Sequence, residues 1–102
     1  MTKFKVIKDE AKYLVEIKGH ADYASEGYDI VCAGISTAVS MTLNLLDKFG
    51  LSYNIKNQIV EKGNVLIETD MSDSRVITIM DNLVDCLETL EVQYPKNIKN
   101  LK

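Results

Sequence analysis

The sequence predicts an α+β fold of order ββαββα, a mostly antiparallel four-stranded sheet packed with two helices. Three observations carry that reading. Short segments with apolar residues at period two stand in pairs; each pair is followed by a longer segment with apolar residues at helical spacing; and turn-forming residues separate the members of each pair. One sheet backed by helices is the simplest way to bury such faces.

The elements follow in chain order. Phe4-Lys5-Val6-Ile7-Lys8 is the first expected strand. Tyr13 to Lys18 is the second, with Tyr13, Val15 and Ile17 on one face, and Asp9-Glu10-Ala11-Lys12 suits the hairpin turn between them. Gly19 to Tyr28 has no apolar period and reads as a polar loop, longer than most connections and therefore a candidate functional element. Its few apolar anchors, and Gly19 and Gly27 near its ends, predict mobility in the absence of substrate. A helix is expected from an Asp29 N-cap to about Phe49, its stripe formed by Val31, Ile35, Ala38, Val39, Thr42, Leu45, Leu46 and Phe49, with Gly50 as the C-cap. Ile30, Met41 and Leu43 fall off that stripe, which points either to a dimer contact or to deeper burial within the domain. Tyr53 to Glu61 and Val65 to Thr69 are the remaining strands, joined by Lys62-Gly63-Asn64. Ser72 or Asp73 caps a second helix whose stripe is Val76, Met80, Leu83, Val84, Leu87, Leu90 or Glu91, and Tyr94, and Pro95 ends it. The lysine-bearing tail from Lys96 to Lys102 reads as a solvated terminus.

Composition narrows the function. The chain has 102 residues, a single domain's worth, with a formal net charge of −3 and a sequence pI near 5.1. That charge argues against nucleic acid as the main partner, since phosphate binding needs a clustered positive surface. No apolar run reaches the ~20 residues of a membrane span, and the start lacks a secretory apolar stretch, so a cytoplasmic location without membrane contact is expected. Two cysteines and one histidine are too few for a structural zinc site or a disulfide scaffold, so no metal or cofactor is expected; one Cys32–Cys86 disulfide is conceivable, but with no secretory stretch the thiols are read as free.

Chemistry-bearing residues converge between Gly19 and Ser36. The sole histidine, His20, opens the polar loop. Cys32 follows in what is expected to be the first turn of the helix, three residues after Asp29. A thiolate is the reactive form of cysteine, and free amides and the dipole at a helix N-terminus favour it. Those amides, near Cys32 and Ala33, would also suit a developing oxyanion. Neutral His20 can take the thiol proton and return it to a leaving amine. Asp29, if ionised, opposes thiolate formation, so its part would be capping or orienting the histidine. By position alone, Cys32 reads more readily as a small buried hydrophobe and His20 as an exposed loop residue. Gly34 within a helix costs up to ~1 kcal/mol relative to Ala, which suggests a packing or functional reason. Ser36 lies one turn beyond Cys32 on the same face, placed either to hydrogen-bond a site or to bond back to its own helix. Cys86 lies beside an apolar stripe and is read as packing.

Gly19-His20-Ala21 followed by Gly27-Tyr28-Asp29-Ile30-Val31-Cys32-Ala33-Gly34-Ile35-Ser36 resembles the ribosomal-processing cysteine protease family, Prp, whose pattern is G-H-A, a short loop, then G-x-D-I-V-C-A-x-x-S. Every fixed position is matched, and length and element order fit across the chain. The resemblance implies a homodimeric cysteine endopeptidase with a Cys-His dyad, which removes an N-terminal extension ending in an apolar, aromatic-containing stretch from the precursor of ribosomal large-subunit protein twenty-seven. Carried over by motif position, Cys32 is the nucleophile and His20 the base, acting through a thioester, while Gly19, Asp29 and Ser36 are motif positions without assigned roles. Other readings of the same residues are a non-catalytic module that binds peptides or ribosomal proteins, and a thiol redox sensor that would oxidise Cys32 without needing His20.

Overall fold

The computed structural model describes residues 1–19 and 26–102, the side chains of 26–29 excepted. The elements are β1 (Thr2–Lys8), β2 (Lys12–Gly19), α1 (Glu26–Lys48), a 3₁₀ turn (Ser52–Asn54), β3 (Ile55–Glu61), β4 (Asn64–Asp70), α2 (Ser74–Gln93) and β5 (Ile98–Asn100). The fold is α+β as expected, but the sheet has five strands, in the order β3-β4-β2-β1-β5, and is mixed. The β1–β2, β2–β4 and β3–β4 pairs are antiparallel, and β5 runs parallel to β1.

β5 is the element that sequence reading assigned to a solvated tail. Three residues with one buried apolar side chain carry almost no periodic signal. Ile98 is fully buried, however, and the backbone of the tail is bonded at both ends: Thr2 N–H donates to the Asn97 carbonyl at 2.9 Å and Leu101 N–H to the Phe4 carbonyl at 2.7 Å. From α2, the Glu91 carboxylate accepts the Asn100 N–H at 2.8 Å.

The alternating faces of the strands work as expected. Phe4 on β1, Tyr13, Val15 and Ile17 on β2, and Ile67 on β4 enter one core cluster with Val31, Ile35, Val39 and Leu46 of α1 and Val76, Met80, Leu83 and Leu87 of α2. The helices meet closely at Gly34, where an added Cβ would lie 3.2 Å from a methyl of Leu90. The glycine within the helix is therefore explained by helix–helix packing, at the cost in helix propensity noted above. Gly50 takes a left-handed φ of 70° after α1, the conformation of a C-cap glycine. Ile30–Lys48 is long and apolar enough by composition to cross a membrane, yet its Val31–Ile35–Val39–Leu46 face belongs to this core.

The start of α1 departs from expectation. The helix begins at Glu26, so Asp29 lies inside it and is no N-cap, and the segment 26–28 is helix where the sequence reads as loop. Residue-type preference for a cap favoured Asp29, but Glu26-Gly27-Tyr28 continue the helix by another turn. The rest of that loop, residues 20–25, lies outside the described residues, and with it any statement on the loop's mobility. At the far end α1 stops at Lys48, and Leu45 and Phe49 are exposed where the stripe pattern buried them. Tyr53 belongs to the 3₁₀ turn and not to a strand, because the buried Asn54 anchors that turn against β4. In α2, Asp73 is the N-cap, accepting from the Arg75 N–H at 2.9 Å.

Candidate active site

Cys32 is half-buried on α1, six residues after the helix starts at Glu26. That position changes the expected chemistry. In a helix the N–H of Cys32 is directed to the Tyr28 carbonyl and that of Ala33 to the Asp29 carbonyl, so neither amide is free to serve an oxyanion. The dipole effect also fades beyond the first turn. The free amides expected around a first-turn cysteine are therefore not what surrounds Cys32.

The thiol opens into a cleft of about 740 Å³. Its α1 wall carries Cys32, Ser36 and Ser40 at intervals of four residues, which places them on one helical stripe. Its opposite wall is the β3–β4 hairpin, from Val60 to Val65, and Thr2 and Gly19 close one end. Ile17, Ile35 and Val39 supply an apolar base between these walls.

The closed end is built by close approach of backbone. Gly63, in the two-residue turn of the hairpin, has a φ of 78°, a conformation that favours glycine. The Gly19 N–H donates to the Gly63 carbonyl at 3.1 Å. A Cβ on Gly63 would stand 2.7 Å from the Gly19 carbonyl oxygen, and a Cβ on Gly19 would stand 2.6 Å from Thr2 Oγ1. Both glycines are thus required where β2 ends, and the side chain of Thr2 that limits Gly19 is itself buried.

Of the residues singled out in the sequence, the structure brings Cys32, Ser36 and Gly19 to one cleft. Asp29 lies on α1 one turn before Cys32, its side chain outside the described residues. His20 also lies outside them, but it follows Gly19 directly, so the chain leading to it starts from the cleft wall. Thr2, Val60 and Gly63 were not singled out; the turn-forming Gly63 was the one legible signal among them. Cys86 is exposed on α2 and not packed as expected: it falls between the Leu83 and Leu87 positions that face the core. Both thiols are free. Among the described residues no group of three His, Cys, Asp or Glu side chains could hold a metal ion.

Comparison with known proteins gives a consistent picture. The model of the family described as cysteine protease Prp matches residues 1–99. The ribosomal processing cysteine protease Prp of Staphylococcus aureus is 30% identical over 95 residues, covering 91% of this chain and 90% of that protein. Two crystal structures of the essential ribosomal processing protease Prp from S. aureus resemble this fold. One holds a substrate peptide, with a TM-score of 0.81 at 27% identity, over 98% of this chain and 97% of that one. The other holds a covalently linked product peptide, with a TM-score of 0.75 at the same identity and coverage.

Proposed function

This chain belongs to the cysteine protease Prp family, and on that premise we propose that it cleaves the N-terminal extension from the precursor of ribosomal large-subunit protein twenty-seven, with Cys32 as nucleophile and His20 as general base. The observation that carries the assignment is the opening of Cys32 into a cleft closed at one end by Gly19, the residue that leads into His20. Cys86 has no comparable setting: it is exposed on α2 and lines no described cleft with a family motif.

The chemistry is acyl transfer. His20 takes the thiol proton, and the Cys32 thiolate attacks the scissile carbonyl carbon to form a C–S bond. The tetrahedral intermediate collapses as the C–N bond breaks, and His20 gives its proton to the departing amine. Water, deprotonated by His20, then attacks the thioester and the thiol is restored. The interior position of Cys32 in α1 gives the base more of the work than a first-turn cysteine would leave it.

Two features accompany this reading. The protein acts as a homodimer, supported by the exposed apolar side chains Ile30 (50%) and Met41 (59%) on α1 with Leu45 on the same side of the helix. It works in the cytoplasm, where the precursor is made. Incubation of the purified chain with the extended precursor, read by mass spectrometry, tests the proposal. One cut at the end of the extension is expected, and an intact precursor after prolonged incubation with the folded protein refutes it.

A further inference from the structure

We propose that the outer edge of β3 receives the substrate peptide as an added strand, along a groove that leads from Cys32 down α1, with Val60 and Gln58 as its specificity-determining residues. The inference rests on the reading of Cys32 as nucleophile and concerns how the peptide reaches it.

β3 ends the strand order, and among the described residues it pairs with β4 alone. Its other edge therefore presents backbone N–H and C=O groups, the arrangement that accepts an extended peptide in strand addition. The register shows which way its side chains point. Gln58 lies opposite Ile67 and Val60 opposite Val65. Ile67 is fully buried beneath the helices, so Gln58 and Val60 share its helix-side face. Yet Gln58 is exposed and Val60 is 53% exposed. The helices thus cover β4 and stop short of β3, leaving the helix-side face of the edge strand open.

α1 forms the facing wall. Cys32, Ser36, Val39 and Leu43 recur at intervals of four, three and four residues, a stripe that shares Val39 with the core stripe. Two hollows lie along it. The cleft of about 740 Å³ joins Cys32 and Ser36 to Val60, and a second of about 470 Å³ joins Leu43 to Ile55 and Gln58. Cys32 to Leu43 spans about 16 Å of helix at ~1.5 Å per residue. An extended peptide covers that in about five residues at ~3.3 Å each. Leu43, off the expected core stripe, is half-buried here as part of the groove.

The occupant is an extended segment of the precursor next to the cut. Pleating turns every second side chain into the groove between Val39 of α1 and Val60 of β3 and the others toward solvent, so the groove selects apolar residues two apart. A strand bound this way lies along β3, and one of its ends meets the cleft that holds Cys32.

Precursor peptides spanning the cut, each N-methylated at one successive amide, test this with the wild-type dimer. Removing a donor used in the added ladder should raise KM by about three- to tenfold, and the intervening positions should be unaffected. The sensitive positions should alternate over about five residues on one side of the cut. Val60→Asp should raise KM for the unmodified peptide by a similar factor with an unchanged Tm, whereas Ile59→Asp, on the opposite face of β3, should leave KM unchanged. In the inactive Cys32→Ala variant, saturating peptide should slow hydrogen exchange at alternate β3 amides. Cleavage with a flat N-methylation profile, or equal responses to Val60→Asp and Ile59→Asp, overturns strand addition while leaving the protease assignment intact. No cleavage of any peptide by the wild type removes the assignment and this inference together.

Discussion

The two ends of the sheet are held together by different physics. At the end carrying Thr2, Gly19 and Gly63, glycines bring backbone against backbone and leave an open cleft beside Cys32. At the other end, side chains are tied into hydrogen-bonded groups. The fully buried Asn54 donates its amide to Asp70 at 2.9 Å and to Ser72 at 3.1 Å, and the Ser72 hydroxyl donates to the same Asp70 oxygen at 2.8 Å. The Tyr13 hydroxyl donates to Asp81 at 2.6 Å and Lys8 donates to the same oxygen at 3.0 Å. Asp9 closes the β1–β2 turn by accepting the Ala11 and Lys12 N–H groups. The difference teaches a division of labour. Side-chain networks fix the register and the 3₁₀ turn far from Cys32, and the Cys32 end keeps its side chains available for the reacting part of a substrate.

If that division holds, substitutions at the two ends separate activity from stability. The largest effect is expected from Cys32→Ala, which should abolish cleavage while changing stability by about 1 kcal/mol, because Ala is a good helix former and the thiol is only half-buried. Residual turnover in that variant would break the comparison at its catalytic end. His20→Ala should lower kcat/KM by about 100-fold or more, with a Tm close to wild type.

Gly63→Ala sharpens the contrast, since it strains the cleft end through backbone alone. The residue would occupy φ 78° with its Cβ 2.7 Å from the Gly19 carbonyl. A loss of about 1–3 kcal/mol is expected, with reduced kcat/KM because the displaced Gly19 leads into His20. Full activity at an unchanged Tm would show that the glycine contact positions nothing.

Asp70→Ala is the reciprocal experiment. It leaves the buried Asn54 amide with Ser72 alone, so about 1–3 kcal/mol of stability should be lost, or roughly 4–8 °C in Tm per kcal/mol, at unchanged kcat. The Asn54 and Ser72 donors also hold the Asp70 carboxyl well below the usual carboxylate range. A depressed folded-state pKa contributes stability above the unfolded value of about 3.9 and loses it as pH falls through the folded value. Wild-type stability should therefore decline below about pH 4, and more gently in Asp70→Asn. Asp73, beside Arg75, and Asp81, beside Tyr13 and Lys8, act in the same direction. Identical acid profiles for wild type and Asp70→Asn would assign the acid sensitivity to other carboxylates.

How much of this was legible beforehand varies by element. β1, β2, β4 and α2 were readable because each buries one face against a single core, which writes period two or 3.6 into the residues. β5 was not, since pairing with β1 secures it through backbone bonds that leave no mark on side-chain pattern. The start of α1 was misread because a good cap residue, Asp29, sits inside a helix that already began at Glu26. That error carried into the site: it supplied Cys32 with free amides that the helix directs elsewhere. The exposure of Cys86 followed from one residue's rotation off the Leu83–Leu87 stripe, a difference residue type could not reveal. Cys32 and Ser36 were found by motif, whereas Val60 and Gly63 reach the cleft through the hairpin's register, a tertiary property.

The central claim, that Cys32 is the acylated nucleophile, is tested most directly by trapping. Mixing the wild-type protein with precursor, quenching in acid within a turnover and measuring intact mass should reveal the enzyme carrying the extension as an acyl group. Fragmentation should place that group on Cys32. Cleavage accompanied by an acyl group on Cys86, or by no adduct under conditions that preserve a thioester, would contradict it.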